Sequence, residues 1–351
     1  MFNLTTVIVD SCIESLKAGY RDTYGNLKSD SAALIEQVVK LALENIASSD
    51  ALYHNVEHTV LVTLVGQEIL RGKYIREGNI SSDEWLCAIV SWLCHDIGYV
   101  KGICSQDQHS QRLYATGTDS NPIHLELGKT DASLTPHHVD RGKMFIREHF
   151  ADRDLIDAEA IMRNIELTRF PVPSDEEHSA TANYPGLVRA ADLIGQLSDP
   201  RYLQKMPALF YEFEEIGTNK ILGYSHPADL RSGYPKFFWN VVYRYIQDGL
   251  QFLEMTEMGK EIIANLYGNV LVVEQEIAAT AANLSLDLTP NLLPDSNRFK
   301  LPIWDRFPGL RDRFVGFTQT ENRKGFFELF RTKSQLNHPG IRGFQITQRW
   351  F

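Results

Sequence analysis

SDEWLCAIVSWLCHDIG, residues 82–98, is the stretch on which the fold class turns. Trp85, Ile89 and Trp92 recur at helical spacing, and Ser82 or Asp83 suits the N-cap. Gly98 suits the end of such a helix, which puts His95 and Asp96 in its last turn. Residues 88–94 are apolar apart from Ser91, so this pair sits beside a core. A charged carboxylate there requires a partner, and a divalent cation is one of few adequate ones.

On either side of this segment the chain reads as further helices joined by loops. Leu34, Val38, Leu41 and Ala42 predict a helix over 31–48, and another is expected from Val56 to Arg71, stopping near Gly72. Helical signal returns at 138–150 and 154–168, then from Pro185 through Leu187, Val188, Ala191 and Ile194, and over 235–256 and 257–285. Residues 99–135 are rich in Gly, Ser, Thr, Asp and Asn and predict a long loop with short helical pieces, a length usually tied to function or disorder. Pro171 to Tyr184 is a second polar, proline-bracketed connection. No β pattern of comparable strength occurs in residues 1–285, so the expected class is all-α, a helical bundle. From Pro290 the composition shifts toward Pro, Arg and Phe. The expected organisation is therefore a helical domain over 1–289, with its motifs between about 50 and 200, and a less regular basic appendage over 290–351.

Composition excludes several classes of function. The net charge of −10 over 351 residues argues against general nucleic-acid or anionic-membrane binding, although a local basic patch could hold an anionic substrate. That charge is uneven, with 11 Lys and Arg against 5 Asp and Glu from Pro290 onward. Cys12, Cys87, Cys94 and Cys104 form no C-x-x-C pair, so neither a zinc ribbon nor a thioredoxin motif is expected. No run reaches the ~20 apolar residues of a membrane span. The first residues lack the basic region of a secretory signal, and the expectation is a cytoplasmic chain with reduced thiols. Neither a P-loop nor a G-x-G-x-x-G pattern occurs.

The histidines and aspartates carry the chemistry. His54 and His58 stand at i and i+4, which puts two imidazoles on one helical face if both are helical; surface or capping histidines are the alternative. His95 and Asp96 are adjacent and share no helical face, but at a helix end both can turn toward one ion. Asp192 borders the apolar face set by Val188, or else pairs with Arg189. Cys87, Cys94, Trp85, Trp92, Phe237, Phe238 and Trp239 read as core, and Arg298, Arg306, Arg311 and Arg313 as a solvated tail.

Taken in order, His58, His95-Asp96 and Asp192, each on its own helix, resemble the HD superfamily of metal-dependent phosphohydrolases. Tyr53-His54-Asn55-x-x-His58 is similar to the Y-H-N-x-x-H signature of the 3′,5′-cyclic nucleotide phosphodiesterases. Ala191-Asp192-Leu193 looks like that family's late A-D-L stretch, and Thr168 falls where it has a threonine. The resemblance implies an HD-type bundle and a divalent ion (Mn, Fe, Zn or Mg) ligated by His58, His95, Asp96 and Asp192, with Asp96 the natural bridge to a second ion. It implies hydrolysis of a nucleotide or other small phosphoester by a metal-bound hydroxide, with His54 as proton donor to the leaving oxygen and Asp96 in the catalytic set.

Departures from those families are specific. Tyr99 stands where the phosphodiesterases have a histidine and H-D-I-G-K proteins a lysine; Lys101, two residues on, reads as a solvated loop lysine or a phosphate contact. His138 with Gly142 resembles the H-x-x-x-G segment of the HD-GYP branch and is a possible further ligand, whereas His178, in a mobile-looking loop, is not expected to be one. Gln247, Gln251 and Gln275 are equal candidates for a purine-selecting glutamine. An HD-type di-iron oxygenase and a non-catalytic metal- or nucleotide-binding sensor are the alternatives; the first needs more histidine ligands, and retention of His54 speaks against the second.

Overall fold

The computed structural model describes residues 3–26, 29–117, 121–153 and 155–288, of which those up to Ser285 belong to one compact unit. The expected appendage over 290–351 and its boundary at 289 lie outside the described residues.

Helices dominate, as the patterning requires. In chain order they are α1 (Leu4–Tyr24), α2 (Ser29–Ile46), α3 (Val56–Glu77), α4 (Ser82–Cys94), α5 (His138–Phe150), α6 (Ala158–Glu166), α7 (Tyr184–Leu197), α8 (Tyr202–Glu215), α9 (Thr218–Leu222), α10 (Pro227–Phe237), α11 (Tyr243–Leu253) and α12 (Glu257–Leu288). Between α4 and α5 the chain makes 3-10 turns and one small antiparallel hairpin, β1 (Leu113–Tyr114) with β2 (Ile123–His124). The fold is all-α. Among the described residues no helix is long and apolar enough to cross a membrane.

The centre of the unit is α3, which packs against α7, α11, α4 and α1. Surrounded in this way, it buries His58, Val62, Val65, Ile69 and Leu70 in successive turns, and its sequence is apolar on several sides rather than along one stripe. α4 behaves likewise: every residue from Trp85 to Cys94 is buried.

Several boundaries differ from the sequence expectation, each for a local reason. α3 does not stop near Gly72 but continues to Glu77, where Gly78 in the left-handed region ends it. Gly72 serves a different purpose. A Cβ there would stand 1.9 Å from the Phe252 carbonyl oxygen, so the missing side chain lets α11 lie directly on α3. α4 starts one residue earlier than expected, at a capping box in which Ser81 and Glu84 satisfy each other's backbone N–H groups. It also ends at Cys94, which leaves His95 as its C-cap and Asp96 at the head of the turn Ile97–Tyr99. The segment read as one helix over 235–256 is two, joined by a π-helical turn at Phe238–Val242. α1, α8 and α9 were not expected, and α1 carries a plain apolar seam of Val9, Cys12, Ile13, Leu16 and Tyr20.

The long connection after α4 is tied down from within. Arg141 on α5 is fully buried and uses all five of its N–H donors. Two go to the Asp107 carboxylate, each 2.9 Å, and the others to the carbonyls of Gly98, Val100 and Ala115 at 2.7, 2.9 and 2.7 Å. Lys101, half-buried, is held in the same connection by the Lys129 carbonyl at 2.8 Å and Asp131 at 3.3 Å.

Gly72→Ala tests the close approach of α3 and α11. The substitution gains about 1 kcal/mol of helix propensity. Driving a methyl against backbone rather than a yielding side chain costs roughly 1–3 kcal/mol, and the overlap here is severe. Urea denaturation is expected to show net destabilisation; unchanged or raised stability would refute the assignment.

Candidate metal centre

Three helices and one turn deliver the site. Asn55 caps α3, its side chain accepting the N–H groups of Glu57 and His58, and so holds His58 in the first helical turn with His54 just outside the helix. His54 and His58 therefore do not share a helical face, as the i, i+4 spacing suggested. They meet edge to face at 5.4 Å because the chain turns at the cap. The end of α4 presents His95 and Asp96, and α7, entered through Asn183 as N-cap and Pro185, presents Asp192 from the opposite side.

His58, His95, Asp96 and Asp192 converge. The Nε2 atoms of His58 and His95 both lie 3.1 Å from Asp96 Oδ2 and 3.5 Å from Asp192 Oδ1. The two Nε2 atoms are 3.4 Å apart. Donors bonded to one ion at about 2.1 Å stand about 3.0 Å apart at octahedral angles and about 3.4 Å at tetrahedral ones. The His–Asp and His–His separations have the spacing of a coordination shell, and the ligand atoms within 4.8 Å of one another fall into two sets that share His58: His54–His58–Asp96 and His58–His95–Asp192. His95 Nδ1 donates to the Trp92 carbonyl at 2.7 Å, so its Nε2 is the nitrogen that offers a lone pair inward. Asp96 Oδ2 is buried and has no hydrogen-bond partner, although both imidazole Nε2 atoms stand 3.1 Å away. A buried, orphaned carboxylate oxygen facing two imidazoles fits a cation.

Electrostatics point the same way. Burial pushes the His95 imidazole down, but the Asp96 and Asp192 carboxylates reverse this and hold it well above its ordinary value. Burial raises both carboxyls, yet the facing imidazoles bring Asp96 well below its usual range and Asp192 to about 2. Buried Asp96 and half-buried Asp192 thus call for positive charge close by, as protons on imidazole or as an ion.

His54 stands beside this group, within reach of His58 and Asp96. Its Nδ1 donates to Glu212 Oε2 at 2.6 Å, and Glu212 Oε1 also accepts the N–H groups of Tyr53 and His54 at 2.7 and 3.2 Å. Burial lowers the His54 pKa, but Glu212 outweighs it and the imidazole rises to about 9. Glu212 was not anticipated. It lies on α8, which Pro207 interrupts and which sequence reading missed; the apolar spacing of Tyr202, Met206 and Leu209 was the available signal.

The remaining candidates sort cleanly. His138 is buried, donates from Nδ1 to the Thr135 carbonyl at 2.6 Å, and turns Nε2 toward Asp96 Oδ1 at 3.9 Å. His178 is buried rather than part of a mobile loop, and is engaged by Asp175 at 2.7 Å and Glu166 at 3.2 Å. Arg189 does not pair with Asp192; it donates to the carbonyls of His178 and Ala180 and stacks on Tyr245. Gln247, Gln251 and Gln275 are all exposed. Thr168 donates to the Ile165 carbonyl at 2.8 Å.

Residues 2–276 match the family described as Npun_R2479-like. The chain belongs to that family. All of the site residues named above fall within the match. No curated protein matches this Npun_R2479-like chain.

If the four donors hold an ion, the folded chain gains stability from it. Protein stripped with a chelator and then given Mn²⁺ or Zn²⁺ at a hundredfold excess over Kd should gain about 2.7 kcal/mol. For a unit of this size that is a rise in Tm of roughly 5 °C or more. The shift should vanish in His58→Ala; an unmoved wild-type Tm would refute the centre.

Proposed function

We propose that this chain is a metal-dependent phosphohydrolase of HD type, acting on a nucleotide or another small phosphoester. The observation that carries the reading is the convergence of His58, His95, Asp96 and Asp192 next to a histidine held by its own carboxylate. A site that only bound a cation would have no use for His54 clamped to Glu212.

A divalent ion at the four donors would supply Lewis acidity and a water made acidic enough to attack near neutral pH. The protein's own groups do the rest. Asp96 and Asp192 would help hold that ion with their negative charge, and the Trp92 carbonyl fixes the His95 ring so that Nε2 faces both carboxylates. Glu212, bonded to Nδ1 of His54, fixes the ring and favours its imidazolium form. That leaves Nε2 of His54 as the proton-bearing atom available to a departing alkoxide. The arrangement resembles a base–orienter pair working in the acid direction.

The test is a panel of cyclic nucleotides, nucleoside mono- and triphosphates and a generic phosphodiester, incubated with stripped and metal-reloaded protein. Phosphate-ester cleavage is expected only with metal and should disappear in Asp96→Ala. His54→Ala should keep its ion but lose about 10²–10⁴ in rate. Cleavage by His58→Ala equal to wild type would overturn the reading, as would O₂ consumption by an iron-loaded protein that leaves every phosphoester intact.

A further inference from the structure

We propose that Tyr99 confines the centre to a single divalent ion, an inference that rests on the metal-dependent reading above. Asp96 offers two oxygens. Oδ2 faces the Nε2 atoms of His58 and His95, and Oδ1 faces His138 Nε2 at 3.9 Å. The Thr135 carbonyl takes the Nδ1 proton of His138, so that Nε2 presents a lone pair toward Oδ1. A carboxylate and an imidazole placed in this way begin a second coordination site.

Tyr99 keeps that site from being completed. Its ring is 3% exposed; it stacks on His54 at 4.5 Å and 12° and packs on His138 at 4.7 Å and 30°. The two imidazoles contact the phenol rather than each other, so the ring is interposed and they cannot converge on one ion. Among the described residues, His138 joins no set of three converging ligand atoms. A second ion would have two protein donors and would need water for the remainder, beside an aromatic ring packed on one of those donors.

Nor is the ring free to leave. The Tyr99 N–H donates to the Asp96 carbonyl at 3.0 Å. Arg141 grips the carbonyls on both sides of Tyr99, those of Gly98 and Val100. Gly98 lies so close to the His138 carbonyl that a Cβ would stand 1.9 Å from it, which presses the turn onto the start of α5.

The experiment is a metal count. The full chain and its Tyr99→His and Tyr99→Phe variants are saturated with Mn²⁺, desalted and measured by inductively coupled plasma mass spectrometry. Wild type and Tyr99→Phe should hold one ion per chain, and Tyr99→His, which replaces the phenol by a nitrogen donor, should approach two. Two ions in wild type, or one in a folded Tyr99→His, would overturn the inference. Should Tyr99→His not fold, Mn²⁺ electron paramagnetic resonance of wild type decides. An isolated six-line spectrum at saturation supports a single ion, and an exchange-coupled spectrum refutes it. Wild type with no bound ion would instead refute the metal-dependent reading itself.

Discussion

Two carboxylates and two imidazoles share one space at the heart of the helical unit, with the His54 imidazole beside them. Asp96 and Asp192 arrive from different helices, both within 3.5 Å of the same two nitrogens. Leaving such charges uncompensated in a core costs several kcal/mol for each ion, far more than any surface pair contributes. Much of the surrounding structure serves this point. α3 is central because it carries His58, α4 ends where His95 must turn inward, and α7 packs against both with Asp192 at their junction. The concentration of buried polar groups here, His58, His95, Asp96 and His138, sets it apart from the apolar core around it.

The residues close to the centre divide the work by what binds their far side. Backbone carbonyls take the Nδ1 protons of His95 and His138, which turns the Nε2 atom of each toward Asp96. A carboxylate takes that of His54, which raises the imidazole's pKa to about 9. Three histidines of the same chemistry thus take different roles through one hydrogen bond each.

Legibility from sequence followed the range of the interaction. The all-α class was readable because α2, α4, α5 and α7 each carry an apolar face or run at helical spacing. His58, His95, Asp96 and Asp192 were readable as a set because the order of motifs on separate helices carries information that no single dipeptide does. Glu212 was not, since it acts 158 residues away from His54 and only tertiary folding joins them. Gly72 was misjudged as a helix stop for the same reason: its neighbour is the Phe252 backbone, invisible to any local pattern. Lys101 and His178 looked like loop residues, because burial inside an irregular connection leaves no periodic trace. Tyr99 stood out as a departure, but its meaning depended on which rings it touches.

The Arg141 clamp gives the long connection after α4 an unusual mechanical character. Stretches of this length beside a reaction centre commonly open and close during turnover, and the slow step then belongs to their motion. Here an internal guanidinium with no spare donor fastens Gly98, Val100, Asp107 and Ala115 to α5. A segment so riveted makes a poor gate. It behaves as masonry, a fixed wall of backbone beside Asp96.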